Sequence, residues 1–131
     1  MGYHVLDPLA LPGTDDHPCD RHSISEAVDL ETLAAAVYDI DPGEQLSRTY
    51  HYHEQREELF AVLAGELAVE TPEETYTVGE GELFVSEPNS PIRPHNPADA
   101  DDAVRVLGVG APQYDIGRPY DPDTDEAPGN D

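Results

Sequence analysis

The stretch that decides the fold reads Gly43-Glu-Gln-Leu-Ser-Arg-Thr-Tyr-His51-Tyr-His53-Glu-Gln-Arg-Glu-Glu58-Leu-Phe-Ala-Val-Leu-Ala-Gly65. On a strand, residues i and i+2 share a face and stand roughly 6–7 Å apart, at about 3.3 Å of rise per residue. His51 and His53 can therefore converge on one ion, each at a metal–nitrogen distance of about 2.0–2.1 Å. A carboxylate from a neighbouring strand would complete the site. Glu58 stands just before the apolar run 59–63, where a tight connection between paired strands would place it. Taken alone, His-x-His reads equally well as two solvent-facing imidazoles on a polar edge. By alternation Tyr50 and Tyr52 fall on the other face, as core or dimer-contact aromatics, and Glu57 points outward.

Outward from this stretch, short apolar runs alternate with turn chemistry: Asp41-Pro42-Gly43, Ala64-Gly65, Thr71-Pro72-Glu73, Gly79-Glu80-Gly81 and Glu87-Pro88-Asn89-Ser90-Pro91. The predicted strands are 22–28, 35–40, 46–53, 58–63, 66–71, 74–78, 82–86, 92–95 and 103–108. Residues 30–38 also fit a helical period with Asp29 as a possible cap, but their end in Val37-Tyr38-Asp39-Ile40 favours strand in the second half. With 131 residues, 13 prolines and 10 glycines, the chain suits one all-β domain, a small sandwich or barrel. Residues 1–20 read as a loose arm with a short strand at 3–6, and residues 21–111 as the barrel. Residues 112–131 read as an acidic tail in which Tyr114, Ile116 and Tyr120 can dock while the last ten residues fray.

Twenty-nine acidic residues face six arginines and no lysine, for a formal net charge of −23. The acids are spread along the whole chain, so they describe a surface rather than a tail. Such self-repulsion opposes compaction in dilute buffer. It largely vanishes at molar ionic strength, where the Debye length is about 3 Å. The composition thus points to a high-salt cytoplasm, as in a halophilic archaeon. It disfavours nucleic acid and anionic membranes, which need Lys and Arg. Apolar runs are far shorter than the roughly 20 residues of a membrane span. The first residues carry no secretion signal. Cys19 is alone and forms no intrachain disulfide.

From His51 through Glu58 to Gly65 the spacing resembles the first motif of the cupin family: glycine, His-x-His, three or four residues, Glu, six residues, Gly. Seven residues separate Gly43 from His51, where the family pattern has five. The second motif of that family runs glycine, five residues, Pro-x-Gly, two residues, His, three residues, Asn. Gly81 and Asn96 fall in its register, and Glu87-Pro88-Asn89 holds the Pro-x-Gly place as a turn. Ile92 stands where the family has its histidine.

The resemblance spans about residues 36–110. It implies a cupin-type jelly-roll barrel, commonly a homodimer, with a divalent transition metal (Fe, Mn, Ni or Zn) on His51, His53 and Glu58. Two histidines and one carboxylate with open positions suit oxygen chemistry at non-haem iron. His95, three residues beyond Ile92, is a candidate fourth ligand or pocket residue. Arg93 and Arg105 can project inward onto a carboxylate or phosphate, or pair with surface acids. The implied function is a metal-dependent enzyme of dioxygenase type acting on a small molecule. A non-catalytic small-molecule-binding or sensor cupin is the alternative, and a sugar or sugar-phosphate isomerase a further one.

Overall fold

A computed structural model of the chain describes residues 2–128. Its strands in chain order are β1 (Asp20–Ser23), β2 (Ala34–Ile40), β3 (His51–Tyr52), β4 (Glu57–Ala64), β5 (Glu66–Glu70), β6 (Thr75–Gly79), β7 (Leu83–Ser86), β8 (Arg93–His95), β9 (Val104–Ala111) and β10 (Arg118–Pro119), with one short helix, α1 (Ile24–Ala27). The larger sheet has the order β1-β2-β9-β4-β7, and a smaller one the order β6-β5-β8. The pair β10-β3 is tied to the smaller sheet by the bridges His51↔Ile92 and Gln45↔His95. All pairings between these strands are antiparallel. The expected all-β jelly-roll architecture is what the chain adopts. No helix among the described residues is long and apolar enough to cross a membrane.

Three strand expectations shift, and the alternative helical reading of one segment drops out. The predicted strand 22–28 stops at Ser23, whose hydroxyl accepts the Glu26 N–H at 3.1 Å and starts α1. The helical reading of 30–38 fails, since β2 begins at Ala34. The predicted strand 46–53 contracts to His51–Tyr52, because before it only the isolated Gln45↔His95 bridge pairs the backbone. At the N-terminus no strand forms at 3–6; Asp7 instead caps a 3₁₀ turn at Pro8–Ala10.

Alternation along the larger sheet builds a graded interior. Across it the inward rows run Ile40–Val104, then Arg21–Tyr38–Val106–Val62, then Ser23–Ala36–Gly108–Phe60–Phe84, and last Ala34–Gly110–Glu58–Ser86. The first rows pack with Leu67 and Val69 of the smaller sheet into the core. The last row is small or polar, and with Gly108 in the row before it leaves space. Cys19 belongs to the packed end, where burial pushes its thiol up to about 12 and leaves it unreactive.

On the outer face of the same sheet the two middle rows, Val37–Leu107–Ala61–Leu83 and Ala35–Val109–Leu59–Val85, carry no charge, and they lie between the charged row Asp20–Asp39–Arg105 at one end and Glu57 beside Ala111 at the other. Leu83 and Val85 are 60% and 63% exposed.

Asn96 pins the two ends of the fold together. Fully buried, it donates from Nδ2 to the carbonyls of Ile40 (3.0 Å) and Asp102 (2.8 Å). Asn96→Ala strands both carbonyls, so we expect a loss of roughly 1–3 kcal/mol for each. Urea denaturation in molar salt measures it, and an unchanged midpoint contradicts this role.

Candidate metal centre

His51 sits on β3, held on one side by β10 and on the other by Ile92. Its Nδ1 lies 2.9 Å from the Thr49 carbonyl. A carbonyl can only accept, so Nδ1 carries the proton and Nε2 keeps its lone pair for a ligand. His53, buried one residue past β3, is anchored through its carbonyl, which accepts the Asn89 N–H at 2.7 Å. Asn89 has φ of +64°, the left-handed turn that Glu87-Pro88-Asn89 has to make. Glu58 faces inward because β4 pairs it with Ser86 on one side and Gly110 on the other.

One ligand atom from each of His51, His53 and Glu58 can be chosen so that all lie within 4.8 Å of one another. Two ligands of a single ion at about 2.0–2.2 Å each stand about 3–4 Å apart, so small rotamer changes bring the three onto one centre. The protonation states suit that use. Burial holds the His53 imidazole down to about 4, helped by Arg56 and His51 and opposed by Asp115. Burial pushes the Glu58 carboxyl up, while His51 and Arg56 pull it back toward ionisation. His53 Nδ1 is buried without a hydrogen-bond partner. A buried neutral imidazole beside a desolvated carboxylate is a costly arrangement without a shared cation. The donor set therefore fits a divalent transition metal.

Residues 112–120 form a strap over this centre. Asp115 accepts the backbone N–H groups of Gln55 (2.9 Å) and Arg56 (2.7 Å), and its carboxylate stands 3.9 Å from His53 Nδ1. Its own desolvation works upward, yet those two N–H groups and the nearby cations hold its carboxyl below the usual range. Arg56 clamps the strap from the other side, donating to the carbonyls of Pro112 (3.0 Å) and Gln113. A side chain added at Gly117 would stand 3.0 Å from the His51 ring, so the strap backbone lies directly against a ligand. Of the three residues expected to dock, only Tyr120 does, packing on Tyr50 at 5.0 Å between ring centres. Tyr114 and Ile116 are 84% and 76% exposed, because alternate strap positions face solvent. Of the stretch expected to fray, residues 129–131 lie outside the described ones.

The other candidates lie away from the centre. His95 turns its Nδ1 to the Arg93 carbonyl (3.1 Å) on β8, and an odd offset from Ile92 keeps it off the ligand face. Ile92 itself is buried in the core. Arg93 pairs with Glu70 and Arg105 with Asp39, the second through a two-pronged contact at 2.8 and 3.2 Å. Neither lines the cavity above the three ligands. Arg21 and Arg56 do, with Tyr38 and Gln113, around a volume of about 340 Å³. One signal for this cavity is present in the sequence. Gly108 and Gly110 occupy successive inward positions, where added side chains would meet Tyr38 at 3.1 Å and the Arg56 stem at 2.8 Å.

Residues 36–109 match the cupin domain. No curated protein matches the chain in sequence. Among solved structures, the polyketide cyclase RemF of Streptomyces resistomycificus superposes with a TM-score of 0.74 at 17% identity, over 90% of this chain and 85% of that one. A sugar phosphate isomerase of the cupin superfamily from Silicibacter pomeroyi gives 0.68 at 18% identity, over 82% and 75%. A protein of Acidithiobacillus ferrooxidans designated a sugar phosphate isomerase gives 0.62 at 22% identity, over 72% of this chain and 60% of its own length. At these identities the likeness is one of fold.

In the metal-free protein we expect His53 to titrate near pH 4, far below the ordinary 6.5. Because the folded-state value is the lower one, this histidine removes stability as pH falls from about 6.5 toward 4 and none above that window. Proton NMR titration of the imidazole reads the midpoint directly; a value near 6.5 contradicts the buried, ligand-ready state.

Proposed function

The chain belongs to the cupin family, and on that premise we propose that it is a metal-dependent enzyme of dioxygenase type acting on a small molecule. The observation that carries the reading is the meeting of His51, His53 and Glu58 at the floor of a sheltered cavity. A bound divalent transition metal supplies Lewis acidity or activates oxygen there, and two histidines with one carboxylate leave it open positions. Ile92, packed in the core at the family's fourth-ligand position, offers no ligand atom, so only three protein ligands would hold the ion. Phe60 and Tyr38 wall the cavity and limit water. Burial pushes the Tyr38 hydroxyl up, with Arg21 opposing, so the phenol stays protonated and can donate to a substrate oxygen. The strap fixes the His53 side through Asp115.

A non-catalytic binding cupin is the second reading, favoured by Ile92 and by a lining whose only acids are Glu58 and Glu26. Sugar-phosphate isomerisation draws support only from what its structural neighbours are said to do. Protein purified in molar salt is expected to carry about one transition-metal ion per chain, and His51→Ala to lose it. Wild type without such an ion contradicts the enzyme reading; a metal-loaded chain with no turnover favours the binding one.

We also propose that a second copy covers the outer face of the larger sheet. On a chain of −23 the middle of that face, Leu59, Ala61, Leu83, Val85, Leu107 and Val109, carries no charge, and the charged row Asp20–Asp39–Arg105 and Glu57 lie at its rim, so an identical patch related by a twofold axis meets it without like charges at the centre of the contact. Light scattering in molar salt is expected to give a dimer, and Leu83→Glu with Val85→Glu a monomer. A monomeric wild type contradicts it.

A further inference from the structure

We infer that the cavity takes a small anionic molecule, one that carries a carboxylate or phosphate for Arg21 and a hydroxyl for Gln113. This deepens the metal-centre reading, on which it rests for where the rest of the ligand lies. The first observation is how the six arginines are used. Arg93, Arg105 and Arg118 each pair with an acid of a neighbouring segment. Arg48 donates to the Asp16 carbonyl. Arg56 lines the cavity but is committed to the strap carbonyls, with Nη1 at 3.7 Å from Glu58. Arg21 is different. Its Nη1 donates to the Thr14 hydroxyl at 2.8 Å and stands 3.5 Å from Glu26, and its guanidinium lies against the neutral Tyr38 hydroxyl, so no sheltered carboxylate neutralises it.

That Glu26 contact is weak. Its side chain is 72% exposed while that of Arg21 is 24% exposed, so the carboxylate is free to leave for water and the guanidinium is not. Arg21 therefore offers a sheltered, planar fork, the geometry that takes two oxygens of a carboxylate or phosphate. The second observation is independent of the first. Gln113 lines the same cavity, and its Oε1 is buried without a partner. An amide oxygen only accepts, so its complement is a ligand hydroxyl or N–H.

The charge balance agrees. Two arginines line the cavity against one sheltered carboxylate, Glu58, and one exposed, Glu26, and a divalent cation on the three ligands would make the lining locally positive inside a chain of −23. The global field repels anions at long range, and salt screens it. A contact made inside the cavity is screened far less. A neutral ligand would leave the Arg21 fork unused, and a cationic one would be repelled by it.

Calorimetric titration of the full-length chain in molar potassium chloride tests this with two matched probe pairs, lactate against lactamide and glycerol 3-phosphate against glycerol. We expect at least one anion to bind roughly tenfold or more tightly than its neutral partner, and the pair that responds separates carboxylate from phosphate. Arg21→Gln is expected to abolish that preference without changing metal content, and Gln113→Leu to weaken the hydroxylated anion. Equal affinity within both pairs, no binding by either anion, or an undiminished preference in Arg21→Gln overturns the inference. If Arg21→Gln does not fold, the wild-type ratio alone decides. Elemental analysis of the same samples separates the two readings. An anion preference without bound metal sinks the metal centre and leaves this inference standing; bound metal without an anion preference does the reverse.

Discussion

The register of β4 between β7 and β9 is the constraint on which the rest depends. It sets Glu58 opposite Gly110 and Ser86, and it sends Phe60 and Val62 inward on the same face. Side chains on a strand alternate, so a slip of one residue would exchange the two faces. Glu57 would then enter the cavity, Glu58 would face solvent, and Phe60 and Val62 would leave the core. The hydrophobic core and the carboxylate ligand are thus selected together. Burial of Val62 and Phe60 is what holds a charged group in a place it would not choose.

Two glycines convert this register into a site. Had positions 108 and 110 carried side chains, β9 would have filled the space now occupied by Tyr38 and Arg56. The core end of β9, Val104 and Val106, shows what the filled alternative looks like. The same strand therefore supplies packing at one end and room at the other. The strap then closes the polar end through Asp115, which accepts the Gln55 and Arg56 N–H groups, and through Arg56, which donates to the strap carbonyls.

Much of this was legible in the chain. His51, His53 and Glu58 were readable because their spacing resembles the family's first motif, whereas His-x-His alone reads equally well as two solvent-facing imidazoles, and Asn89 because a residue tolerant of positive φ stands in the place of the usual glycine. The arginines were not. Arg93 and Arg105 sit on strands whose inward and outward faces depend on pairing partners far away in sequence, so their orientation could not be read locally. Arg21 lay in a segment whose strand ends at Ser23, where a side-chain cap competes with the ladder. The strap was legible only in Tyr120, which docks as expected, because its acidic, proline-bearing composition otherwise resembles that of an unanchored tail. Its anchoring comes from Asp115 and Arg56, residues that carry no periodic signal. The surfeit of acids says little about the fold.

The account stands or falls on three side chains sharing one ion. The most direct measurement is an anomalous difference map from crystals of the protein purified in molar salt. The account predicts a single strong peak within about 2.0–2.2 Å of His51 Nε2, a nitrogen of His53 and a carboxylate oxygen of Glu58. A map with no peak at that point, or one in which the three side chains turn apart around ordered water, would contradict it.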